Sequence, residues 1–356
     1  MTWASLLAIP SPTVKPRYPP LLSTCFLVSF TMLRSLFVSS LLLSALVLGA
    51  PGLAQAQTYP DRPIKLVVPF APGGATDILG RLLATALGER LGQPMVVENR
   101  PGAGTVVAAS MVAKAPADGY TLLLGSNTTL TMNPAIRTNL PYDPIKSFTP
   151  LALVADMGLL LVAHNDTPGQ SLKDIVAQAK AGPDKFSYGS YGTGSSVHFG
   201  AEMLKTTAGF PMMHVPFNGS SPSLTALMGG QVQLAVDTVV ASTPLIKSGK
   251  IKAIAALSPQ RLALLPNVPT VAESGYPGFD MGSWFAFVGP AGLPAPVQKK
   301  LEKALAETMA SAEFKKKMVD IGLTPLGGNG DALRARIERE LPLMRAVAAR
   351  ADIRVD

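Results

Sequence analysis

Short apolar runs of strand length alternate with segments of helical period along most of the chain, and this alternation most narrows the possible fold. Ile64 to Pro69 is β-rich and closes on the turn Phe70-Ala71-Pro72-Gly73-Gly74. Thr76 or Asp77 then stands where a helix cap belongs, followed by Ile78, Leu82, Leu83, Ala86, Leu87 and Leu91 at helical spacing. Met95 to Glu98 and Thr121 to Leu124 read as further strands, with a helix from about Thr105 to Lys114 between them. Strands separated by helices of this length imply an α/β fold on a mainly parallel sheet.

The pattern recurs in the second half. Leu151–Val154, Leu159–Val162, Ser187–Ser190, His214–Pro216, Leu234–Asp237, Ile251–Ala256 and Ala286–Val288 read as strands. The tail from Pro296 to Arg350 reads as helical, broken near Gly327-Gly328. A chain of 356 residues exceeds the usual single core. The expectation is two similar lobes, the first from residues 57–155 plus 286–356 and the second from 156–285. The chain would cross between them near Ala155 to Leu160 and Gly278 to Phe285. Two crossings make a hinge, and the cleft it closes is the natural ligand site.

The N-terminus follows a different logic. Arg34, the apolar run Ser35 to Leu48 and Ala54-Gln55-Ala56 have the order of a secretory signal peptide over residues 32–56, with cleavage before Gln57. Residues 1–31, with five prolines ahead of a second apolar patch, are not needed by such a signal and read as a start-site artefact. The chain is thus expected in the periplasm. The one cysteine, Cys25, falls in that leader, so the processed chain would hold no disulfide and no thiolate metal site. Lys and Arg are scattered, and aromatics make up only 6% of the chain, so no basic stripe marks a nucleic-acid surface.

Two turns carry the chemistry. Phe70, Ala71, Gly73, Gly74, Ala75, Thr76 and Asp77 lie where a strand passes into a helix. Free amides at a helix start, with the positive end of its dipole, form an anion seat. Tyr191, Thr193, Gly194, Ser195 and Ser196 form a second strand-to-helix turn of the same kind, with hydroxyls added. Asp237 ends an apolar strand and is placed either to meet a ligand donor or to cap a helix. Catalysis has little support. G-x-G-x-x-G, the phosphate loop and G-x-S-x-G are each missing, and His164, His198 and His214 lack metal-ligand spacing. A triad of Ser195, His198 and Asp237 can be drawn, but no spacing requires it. No catalytic residue, metal or cofactor is therefore expected.

YPDRPIKLVVPFAPGGATDILGR, VVENRPGAGTVVAASMVAKAPADGYTLLLGS, SYGSYGTGSSVHFGAEMLKTTAG and VPFNGSSPSLTALMGGQVQLAVDTVVASTPLIKSGKIKAIA together resemble the Bug (TctC-like) receptors of tripartite tricarboxylate transporters. The resemblance spans essentially residues 57–356. It implies a two-lobed periplasmic-binding-protein fold (type 2, Venus-flytrap) with two hinge-crossing segments. It further implies a monomeric receptor that closes on a small carboxylate and delivers it to integral membrane transporter subunits. A sensing subunit for a signalling membrane protein and an exported enzyme are the alternatives. By the same resemblance, Phe70 to Asp77 would hold a ligand carboxylate through backbone amides. The loop Gly125-Ser126-Asn127-Thr128 would border the cleft, with Tyr191 to His198, Asn218 in the turn Asn218-Gly219-Ser220, and Asp237 opposite them.

Overall fold

The computed structural model describes residues 59–355. The expected leader and signal peptide, residues 1–56 with Cys25, lie outside the described residues. Along the chain, β1 (Ile64–Val68), α1 (Ala75–Leu91), β2 (Met95–Asn99), α2 (Val106–Ala113) and β3 (Thr121–Ser126) come first. One π-helical turn, Thr128–Met132, and a short helix follow, and then the long strand β4 (Phe148–Ala163). Next come α3 (Leu172–Ala181), β5 (Ser187–Ser190), α4 (Ser196–Ala208), β6 (Met213–Pro216), α5 (Ser220–Met228), β7 (Leu234–Thr238), α6 (Val239–Lys247) and β8 (Lys252–Ala256). The chain returns through β9 (Gly282–Pro290), α7 (Ala295–Ala310), α8 (Ala312–Asp320), β10 (Leu323–Asn329) and α9 (Gly330–Arg350).

The fold is two-lobed, with one sheet per lobe. In the first, β1 lies parallel between β2 and β3, β9 runs antiparallel to β3 and β4, and β10 covers the far side of β4. In the second, β5 lies parallel between β6 and β7, while β7 and β8 flank β4 antiparallel. Parallel pairing is thus confined to the β1 and β5 centres, against the expectation of a mainly parallel sheet. The strands that link the lobes or return between them pair antiparallel.

β4 belongs to both sheets. Its residues up to Gly158 pair with β9, and from Leu159 onward they pair with β7 and β8. The two strands expected at Leu151–Val154 and Leu159–Val162 are therefore one strand of 16 residues. Asp156-Met157-Gly158 reads as a break by composition, yet cross-strand pairing carries the strand through it. A second correction concerns the tail. The break expected near Gly327-Gly328 is the strand β10, bulged between Pro325 and Gly328. Pro and paired Gly disguise it, and an edge position tolerates both.

The core follows the pattern of the elements. Ile64, Leu66, Val67 and Val68 of β1 are all buried, as expected for a strand covered on both faces. Leu79, Leu83, Leu87 and Leu91 recur every fourth residue on α1 and seal its inner face. That helix ends on Gly92, which adopts the left-handed conformation (φ 72°) that favours glycine. Among the described residues, no helix is long and apolar enough to cross a membrane.

Candidate functional site

Between the lobes lies a narrow, nearly closed cavity of about 20 Å³. The first lobe lines it with Phe70, Gly74, Ala75, Thr76, Ser126 and Thr128. The second lobe supplies Tyr191, Ser196, Ser220 and Thr238, and the crossing strands add Met157, Ser283 and Phe285. None of these side chains is charged, yet the cavity is rich in positive partial charge. Gly74 caps α1, Ser196 and Ser220 open α4 and α5, and Thr238 caps α6. Four helices therefore begin at one small cavity, each bringing the positive end of its dipole and unpaired amides. Ser126 Oγ is buried with no hydrogen-bond partner. A lone buried hydroxyl is costly unless something bonds it.

The turn at residues 70–77 differs from expectation in one respect. Neither Thr76 nor Asp77 is the cap, because the helix already begins at Ala75 behind Gly74. Asp77 reaches back instead, accepting the Gly73 amide at 3.0 Å and bonds from Arg81 and Asn99. Burial pushes the Asp77 carboxyl up, but the bonds from Arg81, Gly73 and Asn99 outweigh it and hold the group below the ordinary carboxylate range. Asn99 also donates to the Phe70 carbonyl at 3.0 Å, so the turn is braced from the side of β2. The Gly73 amide is consumed by this brace. The amides of the first helical turn, beginning with Gly74, remain for an anion.

The facing lobes touch through several specific contacts. The Ala71 amide donates to the Asn218 carbonyl at 3.1 Å, and Ser221 Oγ donates to the Pro72 carbonyl at 2.8 Å. The Ser196 amide donates to Thr128 Oγ1 at 2.9 Å, and the rings of Phe70 and Tyr191 meet edge to face at 5.7 Å. Ala71 and Asn218 thus act in lobe contact and do not line the cavity. Asn127 is also set back. It donates to the Gly282 carbonyl at 3.1 Å and accepts from Ser283 Oγ at 2.7 Å, which pins the end of β3 to the start of β9.

In the second lobe the expected residues divide sharply. Tyr191 and Ser196 line the cavity. Ser195 caps α4, accepting the His198 amide at 3.3 Å. His198 is buried, accepts the Gly194 amide on Nδ1 at 3.2 Å, and lies tilted against His214 with ring centroids 4.1 Å apart. Thr193 and Gly194 pack against the first lobe. A Cβ on Gly104 would sit 2.6 Å from the Thr193 carbonyl oxygen, so only glycine allows that approach. The triad of Ser195, His198 and Asp237 is not formed, since each makes its bonds elsewhere.

Asp237 is fully buried behind the cavity lining. Its carboxylate accepts from Tyr191 Oη, from Ser220 Oγ at 2.9 Å and from the Thr238 amide at 2.6 Å. All three donors belong to residues that line the cavity. Burial raises the Asp237 carboxyl to about 6, against the lowering effect of these bonds. Burial, and then Asp237 itself, push the Tyr191 phenol well above its usual range. Among the described residues, no group of three or more His, Cys, Asp or Glu is placed to hold a metal ion.

Met157, Thr238, Ser283 and Phe285 were not singled out from sequence. Met157, Ser283 and Phe285 fall within the two expected crossings, and a cleft at a hinge must be floored by its crossing segments. That inference was open from sequence. Thr238 had a weaker signal, being the residue after Asp237.

Residues 79–348 match the family model of the tripartite tricarboxylate transporter family receptor. BugT of Bordetella pertussis is 36% identical over 311 residues, covering 87% of this chain and 95% of that protein. Among solved structures, Rpa4515 of R. palustris with adipate superposes with a TM-score of 0.81 at 36% identity, covering 83% of this chain and 99% of that one. MatC from Rhodopseudomonas palustris with bound malate gives a TM-score of 0.77 at 33% identity, covering 81% and 99%.

Proposed function

The chain belongs to the tripartite tricarboxylate transporter receptor family, and on that footing we propose that it captures a small dicarboxylate in the cavity between its lobes. The family is one of periplasmic receptors and not of enzymes. The observation that carries the reading is the meeting of four helix starts at a cavity lined by no charged side chain. One ligand carboxylate is assigned to the amides of Gly74 to Thr76, the other to the Ser196 hydroxyl and the Ser220 amide. Phe70, Met157, Tyr191 and Phe285 flank the space between with apolar surface, which favours an unsubstituted aliphatic body. Rpa4515 with adipate and MatC with malate are relatives whose ligands have two carboxylates. Delivery to integral membrane transporter subunits is part of the same proposal, supported by the description of the family. The signal peptide over residues 32–56, processing before Gln57, and a lobe division at Ala155 and Phe285 belong to the same proposal.

Calorimetric titration of the chain from Gln57 onward with glutarate, adipate, malate and glutamate tests it. The expected order places the unsubstituted diacids first. A protein that binds glutamate alone, or none of the four, sinks the dicarboxylate reading. Mass spectrometry of periplasmic material tests the processing, which requires Gln57 as the first residue.

A further inference from the structure

The last helix, α9, touches the cavity lining only indirectly, yet one turn of it reaches three of the segments that form that lining. Glu340 accepts from the Trp284 indole Nε1 at 2.6 Å and from Thr131 Oγ1 at 2.8 Å. Trp284 lies on β9 between Ser283 and Phe285, both of which line the cavity. Thr131 lies in the π-helical turn that begins at Thr128, another lining residue. One turn earlier on α9, Arg336 pairs with Asp156 at 2.7 Å, and Asp156 immediately precedes Met157 of the lining. The Arg336 guanidinium also sits over the Trp284 ring, 5.3 Å from its centroid, and 3.7 Å from Glu340. Trp284 and Thr131 are almost wholly buried; Glu340 is the acceptor that satisfies the Trp284 indole, and it shares the Thr131 hydroxyl with the Asn127 carbonyl at 3.0 Å.

We propose that Glu340, held by Arg336, is a positioning residue for the ligand cavity: from behind, the pair fixes the π-helical turn, the β4 crossing and the β9 return in one arrangement. It contacts no ligand. It acts through Thr131, Trp284 and Asp156, whose sequence neighbours do. A side-chain network gripping all three segments at the point where β4 changes sheets makes the hinge-side lining rigid in the geometry the ligand meets. The inference rests on the dicarboxylate reading for its binding arm, but its structural arm stands apart from it.

The test compares the chain from Gln57 onward with Glu340→Ala, Glu340→Gln and, as a control on the exposed side of the same helix, Glu338→Ala. Without any ligand, amide hydrogen exchange in Glu340→Ala should quicken together in segments 126–132, 154–158 and 282–286. Segments 191–198 and 220–224 of the second lobe should keep wild-type rates. Trp284 is the one tryptophan among the described residues, and its emission should move to the red. With adipate as the probe, affinity should fall about tenfold, the scale of one lost charge-assisted hydrogen bond. Glu340→Gln keeps an acceptor and should recover part of that loss, while Glu338→Ala should match wild type. Unchanged exchange in the three segments overturns the proposal, as does quickening spread evenly over both lobes. Loosened segments with adipate affinity within about twofold of wild type also overturn it. A wild type that binds no adipate counts against the dicarboxylate reading alone, and the exchange pattern still decides for or against the clamp.

Discussion

Gly73 and Gly92 both sit in the left-handed region, at φ 87° and 72°, but their surroundings differ. A Cβ on Gly92 would meet nothing within 4 Å, whereas one on Gly73 would lie 2.6 Å from Ser221 Oγ in the facing lobe. Gly92→Ala should therefore cost only the backbone penalty, about 1–2 kcal/mol of stability, and leave affinity alone. Gly73→Ala should show a similar loss of stability and in addition weaken ligand binding by about tenfold or more, because closure drives the new methyl into Ser221. Equal affinities for the two variants would show that Ser221 simply turns aside. Asp237 gives a second prediction, with its sign set by burial. Its carboxyl is raised from 3.8 to about 6, so the folded protein holds this proton more tightly than the unfolded chain does. Ionisation costs stability as pH rises from about 4 to about 6, and above that the buried charge persists beside the anion site. Dicarboxylate affinity should weaken from pH 6 to 8 by at most about tenfold per pH unit, and Asp237→Asn should flatten that slope. A flat wild-type profile by calorimetry would mean that Tyr191, Ser220 and Thr238 neutralise the carboxylate fully. The sequence placed Asp237 at the end of a strand facing the cleft but not its side chain, which turns away from the ligand space to bond three lining residues.

Helix starts were the most legible elements, because their chemistry is local. The Gly-rich turns before α1 and α4 announced both in sequence, and the structure brings both to the cavity. The exact cap was less legible: Asp77 acts from inside the helix on the preceding amide. Ser195 offers the cleanest separation of roles, since it caps α4 without lining the cavity. Ser195→Ala should cost about 1 kcal/mol in chemical denaturation and change dicarboxylate affinity by less than about threefold. A large affinity loss with unchanged stability would place its hydroxyl on the ligand instead. The strands were harder to read. β4 is interrupted in composition by Asp156 and Gly158, and β10 carries Pro325, Gly327 and Gly328. Neither is a strand on its own merits. Both are strands because a neighbouring strand pairs with them, and pairing between distant segments leaves no mark in a local window.

At the scale of the whole molecule, the two-lobed plan was visible from length and recurring α/β units, while the interdigitation of the lobes was not. That depends on glycine-sized approaches such as Gly104 to Thr193, where the opposing groups lie far apart in sequence. Global stability should carry an acid limb. Burial depresses His198 to about 3 and His214 to about 4, with the two rings in tilted contact and Tyr188 stacked on His214 at 5.0 Å. Because both values lie below the unfolded value of 6.5, the stability they represent is full above that pH. It is lost as pH falls through about 4 toward 3. Asp237 opposes this trend between pH 6 and 4. The melting temperature should thus drop on acidification, and His198→Gln should shallow the drop; an unchanged acid limb in that variant would assign it to the carboxylates.

The sharing of β4 by both sheets has a consequence for the order in which the molecule can come into being. The second lobe is written into the chain inside the first, and the first sheet lacks β9 and β10 until the chain has run past residue 329. A polypeptide emerging from its N-terminus can therefore assemble β1, β2 and β3 early but must leave β3 with a bare edge. It must also leave half of β4 unflanked while the second lobe is made. The final helix then arrives with Arg336 and Glu340 to bind the crossing strands. This topology is a built-in delay: the lobe that is begun first is the lobe that is finished last.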